Sequence, residues 1–352
     1  MGRFIIRRFI YMLVVLLAVS AITFGLMHAV PGGPFSTEKR IPQAQKELIE
    51  EVYKLNDPLL KQYGDYLYNV FVPRITSTPP DKYSVMEDYL VEFKVGNTWF
   101  KWMNFGPSYK SRSRSVTNII EQQFPVSLQL GIMALLVGLV IGIPLGIMAA
   151  IRHNTAVDYL SMGIAIIGVS LPVIVIGPIL ARIFGVSLKW LPPTGWGAKP
   201  PFAFGIFPRE LNWNFFKYAI LPAIALGTGE SAITARLTRA SLLQVMGEDY
   251  IRTARAKGLK ERWVIVRHAL KNAMIPVVTI FGPLFAAVVT GSFTTEIIFG
   301  IPGLGQYFVT SITNRDYPVI MGTILLYVLL LVVANLLVDI TYAFLDPRIR
   351  LE

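Results

Sequence analysis

Residues Asp249–Pro276 read D-Y-I-R-T-A-R-A-K-G-L-K-E-R-W-V-I-V-R-H-A-L-K-N-A-M-I-P, a dense basic run inside a chain that is 53% hydrophobic. Positions 249–257 hold good helix formers and no breaker, and Asp249 can cap the start. Gly258 would cost about 1 kcal/mol in a helix interior, so it reads as the end of a short helix and the start of a turn. A second helix is expected beyond it, with Trp263, Val266, Leu270 and Met274 on one face and Glu261, His268 and Asn272 roughly opposite. Arg267 and Lys271 flank that apolar stripe, where long stems cover apolar surface while their charges stay wet. The second helix leads straight into an apolar segment at Pro276. A polar helix–glycine–helix between two oily segments fits a topology signal, an anionic-lipid contact or a docking surface, and the residues alone leave the three open.

Composition narrows the class. Of 352 residues only 16% are charged, with a formal net charge of +11; soluble domains carry about a quarter charged residues, so the balance points to a membrane. Cysteine is absent, which excludes disulfides and thiolate metal or redox sites. The three histidines, His28, His153 and His268, lie far apart in sequence and argue against a histidine metal site. There is no G-x-x-x-x-G-K-[ST] phosphate loop, no H-E-x-x-H and no G-x-S-x-G elbow. Nothing argues for catalysis, and any ATP hydrolysis by the P-loop route would belong to another chain.

Six segments are apolar over the roughly 20 residues that a spanning helix needs: 9–30, 128–151, 159–184, 219–240, 276–298 and 319–345. The first follows Arg3, Arg7 and Arg8 and is longer than a signal-peptide core of about 7–15 residues, so an uncleaved anchor is expected. The segments sharing a side with the N-terminus hold 15 Lys/Arg against 6 Asp/Glu, while loop 31–127 holds 12 against 11. The positive-inside rule therefore predicts cytoplasmic termini and an external 31–127.

That external loop is too long for a simple connection. Pro42 is expected to begin one helix that stops at Asn56, and Asp57-Pro58 to cap and start a second. Residues 73–82 read as a linker, and the stretch up to Trp102 shows no clear periodicity. A small, partly helical cap is expected. The organisation is thus an N-terminal helix (1–30), an extracytoplasmic cap (31–127) and a core of five spans (128–352) that contains the loop 241–275.

Within the spans, Gly138, Gly142 and Gly146 recur every fourth residue. This spacing suits either close helix packing in a moving bundle or ordinary membrane-helix glycine content. Pro144, Pro172, Pro178, Pro276 and Pro283 should kink or end helices. Among ionisable residues, Arg182, Glu296 and Asp339 lie near predicted ends, where snorkelling is expected. Glu230 sits halfway along the fourth span, and a water-filled pathway, a buried interhelical hydrogen bond and a misplaced span all remain open for it.

The segment Arg252-Thr-Ala-Arg-Ala-Lys-Gly-Leu259, followed by Arg267-His-Ala-Leu270 and Pro276, resembles the cytoplasmic signature loop of ABC-importer membrane subunits of the peptide/nickel branch. Against the general E-A-A…G…I-x-L-P form, Ala254, Gly258 and Leu270 match, while Arg252, Thr253, His268 and Lys271 depart in the manner of that branch. The similarity continues through P-G-G-P-F (31–35), L-N-D-P-L-L-K-Q-Y (55–63), N-F-G-P-S-Y (104–109), G-S-F-T-T-E-I-I-F-G-I-P-G-L-G-Q (291–306), N-R-D-Y-P (314–318) and D-P-R-I-R (346–350). About 30 residues near 72–102 look additional.

The resemblance implies an all-α permease of six transmembrane helices, multi-pass in the inner or plasma membrane and most similar to the first permease of an oligopeptide or dipeptide importer. It implies that Tyr250, Ile251, Arg252, Thr253, Ala254, Arg255, Ala256, Lys257, Gly258 and Leu259 meet an ATPase, with ATP and Mg held by that partner and no cofactor or metal in this chain. The implied partners are a second permease, two ATPase subunits, an extracytoplasmic solute-binding protein and membrane lipid, with no nucleic acid. Oligosaccharides and nickel chelates stay open as cargo. So does a proton-coupled secondary transporter that uses Glu230 as its relay.

Overall fold

The computed structural model describes residues 2–35, 43–81 and 84–345. The expected helix start at Pro42, and the D-P-R-I-R stretch at 346–350, lie outside them. Among the described residues thirteen helices run in chain order: α1 (Gly2–Ala29), α2 (Gln43–Val52), α3 (Leu59–Phe71), α4 (Val116–Ile151), α5 (Ala156–Ser170), α6 (Val173–Leu180), α7 (Trp213–Met246), α8 (Asp249–Ala256), α9 (Glu261–Trp263), α10 (Leu270–Gly291), α11 (Phe293–Phe299), α12 (Leu304–Asn314) and α13 (Tyr317–Leu345). π turns follow α6 (Ala181–Ser187) and α9 (Val264–Ala269). Four described helical stretches are long and apolar enough to cross a membrane, Ile6–Ala29, Val116–Ile151, Glu261–Val289 and Tyr317–Ile340. The pair Ala156–Ser170 and Val173–Ser187 makes a fifth, bent by 100°. The expected segment 219–240 lies within the 34-residue α7, which carries Lys217, Glu230, Arg236 and Arg239 and is not among those stretches.

The chain divides into two compact units. The first comprises Pro125–Gly305 with Met1–Arg8 and Leu330–Glu352. Within it α4 and α7 pack backbone to backbone along the glycine stripe. A Cβ on Gly138 would lie 2.8 Å from the Glu230 Cβ, and one on Gly142 or Gly146 would lie 2.6 Å from the Ser231 or Ala235 carbonyl. Gly227 answers from α7, where a side chain would run into the Ala134 carbonyl. The glycines are therefore a packing seam, held by the dispersion that such close approach allows. The break between α5 and α6 follows from Pro172: it has no N–H to donate and forces Leu171 into extended backbone, φ −96° and ψ 114°. Where a continuous span 159–184 is expected, the chain turns. Asn212 caps α7 by accepting the Phe215 N–H at 3.1 Å. Val126, Leu130, Phe215, Ala219, Leu221, Phe299 and Ile301 form one core of this unit, closed by Trp196, whose Nε1 donates to Gln129.

The second unit comprises Phe9–Phe124 and Gln306–Leu329. It is helical where α2 and α3 were expected, although α3 starts after Pro58 and Asp57 pairs with Lys61 rather than capping the helix. The unpatterned stretch before Trp102 folds as a three-stranded antiparallel sheet in the order β1 (Arg74–Thr76), β3 (Thr98–Trp102), β2 (Val91–Val95). Phe93 pairs with Phe100 across β2 and β3, their rings 4.8 Å apart, and the hairpin closes on Gly96 at φ +60°. Trp102 ties the sheet to α3 by donating its Nε1–H to the Phe71 carbonyl at 3.1 Å.

Candidate functional site

The basic segment is built as an anchored platform. In α8, Ile251 is fully buried and Ala254 nearly so, packed with Leu242, Val264, Ala269 and Ala273 in one cluster. The spacing of three puts both on one face, so the rest of the helix must point away. Arg252, Thr253, Arg255, Ala256, Lys257 and Gly258 are exposed, as are Tyr250 and Leu259, at 41% and 43%. Gly258 adopts φ +75°, the left-handed cap of a helix end, and donates its N–H to the Arg255 carbonyl at 2.9 Å. Nothing lies within 4 Å of where a Cβ would stand. The requirement for glycine is thus conformational, not steric.

Two contacts stiffen the turn. The Arg255 guanidinium grips Glu261 with two hydrogen bonds of 3.1 and 2.7 Å across Gly258. Asn272 donates to the Tyr250 hydroxyl at 2.8 Å. Arg255 is therefore engaged within the chain, Arg252 pairs on the surface with Asp249 at 3.5 Å, and Lys257 stands outward.

The helix beyond Gly258 differs from its expected face. Val264, Ile265, Ala269 and Ala273 are buried, whereas Trp263 and Val266 are 57% and 56% exposed. The π turn at Val264–Ala269 carries i→i+5 bonds and adds a residue to one turn, which re-phases the face presented inward.

Each charge in the spans has a distinct environment. Asp158, at the start of α5, is 2% exposed and receives both Nε and Nη2 of Arg239 at 2.7 Å, a bidentate clamp to α7. Asp339 is paired with Arg8, and Arg182 is exposed. Glu230 packs its stem on Gly138, and its Oε2 is buried without a hydrogen-bond partner among the described residues. Among the described residues no group of three or more His, Asp or Glu is placed to hold a metal.

Glu296 overturns its sequence reading. Instead of snorkelling, it is completely buried. Its Oε1 accepts hydrogen bonds from the Ser127 and Ser292 hydroxyls, both at 2.6 Å. Ser127 in turn accepts the Leu304 N–H at 2.8 Å. A Cβ on Gly303 would collide with the carboxyl carbon, and one on Gly305 would lie 3.1 Å from Oε2. Gly300, at φ +59°, ends α11 and turns the chain back. The G-I-P-G-L-G loop is therefore the glycine-lined wall of a buried carboxylate site.

In the second unit Asp316 plays a similar part. It is 3% exposed and accepts the Tyr109 and Lys110 N–H groups at 3.0 and 3.2 Å and the Ser108 hydroxyl. Arg315 donates to the Pro31 carbonyl at 2.9 Å. The stretches P-G-G-P-F, N-F-G-P-S-Y and N-R-D-Y-P, far apart in sequence, are thus fastened to one another.

A membrane core with one broken helix pair thus carries a basic helix with an exposed face, and comparison with known proteins gives the family. Residues 142–351 match the binding-protein-dependent transport system inner membrane component family, and residues 1–131 match its N-terminal membrane-component model. The chain belongs to this family and is a multi-pass component of the plasma membrane. It is 40% identical over 352 residues to the dipeptide transport system permease protein DppB of Bacillus subtilis, covering 100% of this chain and 99% of that one. It is 37% identical over 350 residues to the oligopeptide transport system permease protein OppB of Salmonella typhimurium, covering 99% and 100%. A solved structure of the MetNI methionine ABC transporter superposes on 64% of this chain and 94% of its own at a TM-score of 0.49 and 17% identity.

Proposed function

We propose that this chain is the permease subunit of an ATP-driven importer of peptides, forming the translocation pathway and receiving ATPase motion through α8. The observation that carries the proposal is the division of labour in α8. Ile251 and Ala254 bolt the helix to α7 and α10, while Arg252, Lys257 and Leu259 are exposed on the other side, beside a turn stiffened by the Arg255–Glu261 pair. A short helix fixed to the spans on one side and bare on the other transmits rigid-body motion from whatever grips it.

In this reading the termini and 241–275 are cytoplasmic, 31–127 is an extracytoplasmic cap, and 128–352 is the core. Two ATPase subunits supply ATP and Mg, a second permease completes the pathway, and a solute-binding protein delivers cargo from outside. The peptide class is supported by the named relatives, whose similarity runs the length of the chain. Glu230, with one carboxylate oxygen lacking a hydrogen-bond partner among the described residues, is the pathway residue of choice.

The test reverses charge on the bare face. Arg252→Glu with Lys257→Glu should leave membrane insertion and thermal stability unchanged while abolishing ATPase copurification and peptide uptake. Uptake at the parent rate would overturn the assignment.

A further inference from the structure

The second unit contains a cavity of about 430 Å³ that none of the preceding roles uses. Small-ligand sites span roughly 300–1,000 Å³, so its size alone admits a guest. Its wall is a continuous run of aromatic rings. Phe24 and His28 stand 4.2 Å apart, His28 and Tyr317 5.0 Å, Tyr317 and Tyr109 6.4 Å, and Tyr109 and Tyr53 4.8 Å. The wall is fixed by polar bonds to backbone and side-chain groups around it. The Tyr109 N–H is held by Asp316, the Tyr317 hydroxyl donates to the Met27 carbonyl at 3.2 Å, and the His28 Nδ1 pairs with the Phe24 carbonyl at 2.8 Å.

Burial raises the Tyr53, Tyr66 and Tyr109 phenols, and they stay neutral at physiological pH. The Tyr66 hydroxyl is buried with no partner among the described residues, an arrangement that ordinarily costs stability and that a guest could relieve. Of the lining charges, Asp57 is occupied by Lys61, and Arg74 by Asn69 and Tyr89. Asp65 and Lys54 also line the cavity, and neither side chain makes an ion pair or hydrogen bond among the described residues, although Lys61 lies near enough to feel Asp65. An aromatic wall attracts an ammonium group and apolar side chains, and one open carboxylate and one open ammonium suit the two ends of a zwitterion.

From this geometry we infer that the cavity is a binding site for a short peptide with free termini, its ammonium group directed to Asp65 and the ring faces, and its carboxylate to Lys54. The inference rests on the proposed peptide cargo and adds to it a second contact point, on the permease itself.

The test measures binding of the dipeptide phenylalanyl-alanine to the purified permease–ATPase complex without its binding protein, beside the N-acetylated dipeptide and phenethylamine. The free dipeptide should bind at least about tenfold more tightly than the acetylated form, the size of one charge-assisted hydrogen bond. Asp65→Asn should erase that difference, and Tyr66→Phe, which removes a hydroxyl that bonds to none of the described residues, should weaken both dipeptides alike. Equal binding of free and acetylated dipeptide, or parent affinity in both variants, overturns the site. If phenethylamine binds in an Asp65-dependent way while the full system imports no peptide, the cargo reading falls and the peptide identity with it, but the cavity stands as an amine site. Import of peptide with no binding of either probe overturns this inference alone.

Discussion

Replacing Glu296 with alanine removes an acceptor for two fully buried hydroxyls, Ser127 and Ser292, each bonded to it at 2.6 Å. An orphaned buried hydroxyl costs about 1–3 kcal/mol; Ser127 would lose its acceptor, whereas Ser292 keeps the Val289 carbonyl at 3.3 Å, so about 1–3 kcal/mol of destabilisation is predicted before any cavity is counted. Glu296→Gln keeps the shape and an Oε1 acceptor, and its loss should be a fraction of that. The decisive comparison is Ser127→Ala with Glu296→Ala: once the carboxylate is gone, removing one orphan hydroxyl should cost less than it does in the parent, by at least about 0.5 kcal/mol. Denaturant unfolding in mixed micelles reads these differences. A Glu296→Ala protein as stable as the parent, or strictly additive losses, would mean that the carboxylate reaches water and that the loop 300–305 is not built around it.

Gly258→Asn should be nearly tolerated and Gly258→Val should lose about 1–2 kcal/mol of loop stability, because the strain is in φ +75° and not in space; equal uptake by both variants would refute the left-handed cap. Gly146→Leu or Gly142→Leu should separate α4 from α7 and abolish folding or uptake, whereas Gly229→Leu, with nothing within 4 Å of its Cβ, should not; proteolysis of membrane vesicles and uptake together check this. Asp158→Asn leaves Arg239 without its bidentate partner and should cost about 3 kcal/mol, the lower end for a buried pair since Arg239 is partly wet. Pairing it with Arg239→Met should recover most of that loss in the same unfolding assay.

Much of the core was readable because it rests on local rules. Span length and hydropathy needed only the apolar runs, and the glycine turn at 258 follows from what a helix end demands. The seam along Gly138, Gly142 and Gly146 was visible as a period of four, but its partner was not, since Ser231 and Ala235 meet it only through the fold. Glu296 was misread for the same reason: its position near a predicted helix end looked wet, and the serine that buries it lies 169 residues away. The face of the helix after Gly258 was misplaced because a π turn carries no local signature. The sheet at Arg74–Trp102 was missed because β1 has only three residues and the partly exposed strands carry little alternation. The break at Leu171-Pro172 was flagged by the proline, yet its 100° angle depends on what the two halves pack against.

The parent chain has no cysteine, so one introduced thiol is the only thiol. Cross-linking from Lys257→Cys to the ATPase subunits, with the buried Ile251→Cys as control, tests the coupling role of α8 most directly. The account predicts a permease–ATPase adduct from position 257 and none from position 251. An active complex that yields no adduct from Lys257→Cys, or yields it equally from Ile251→Cys, would contradict it.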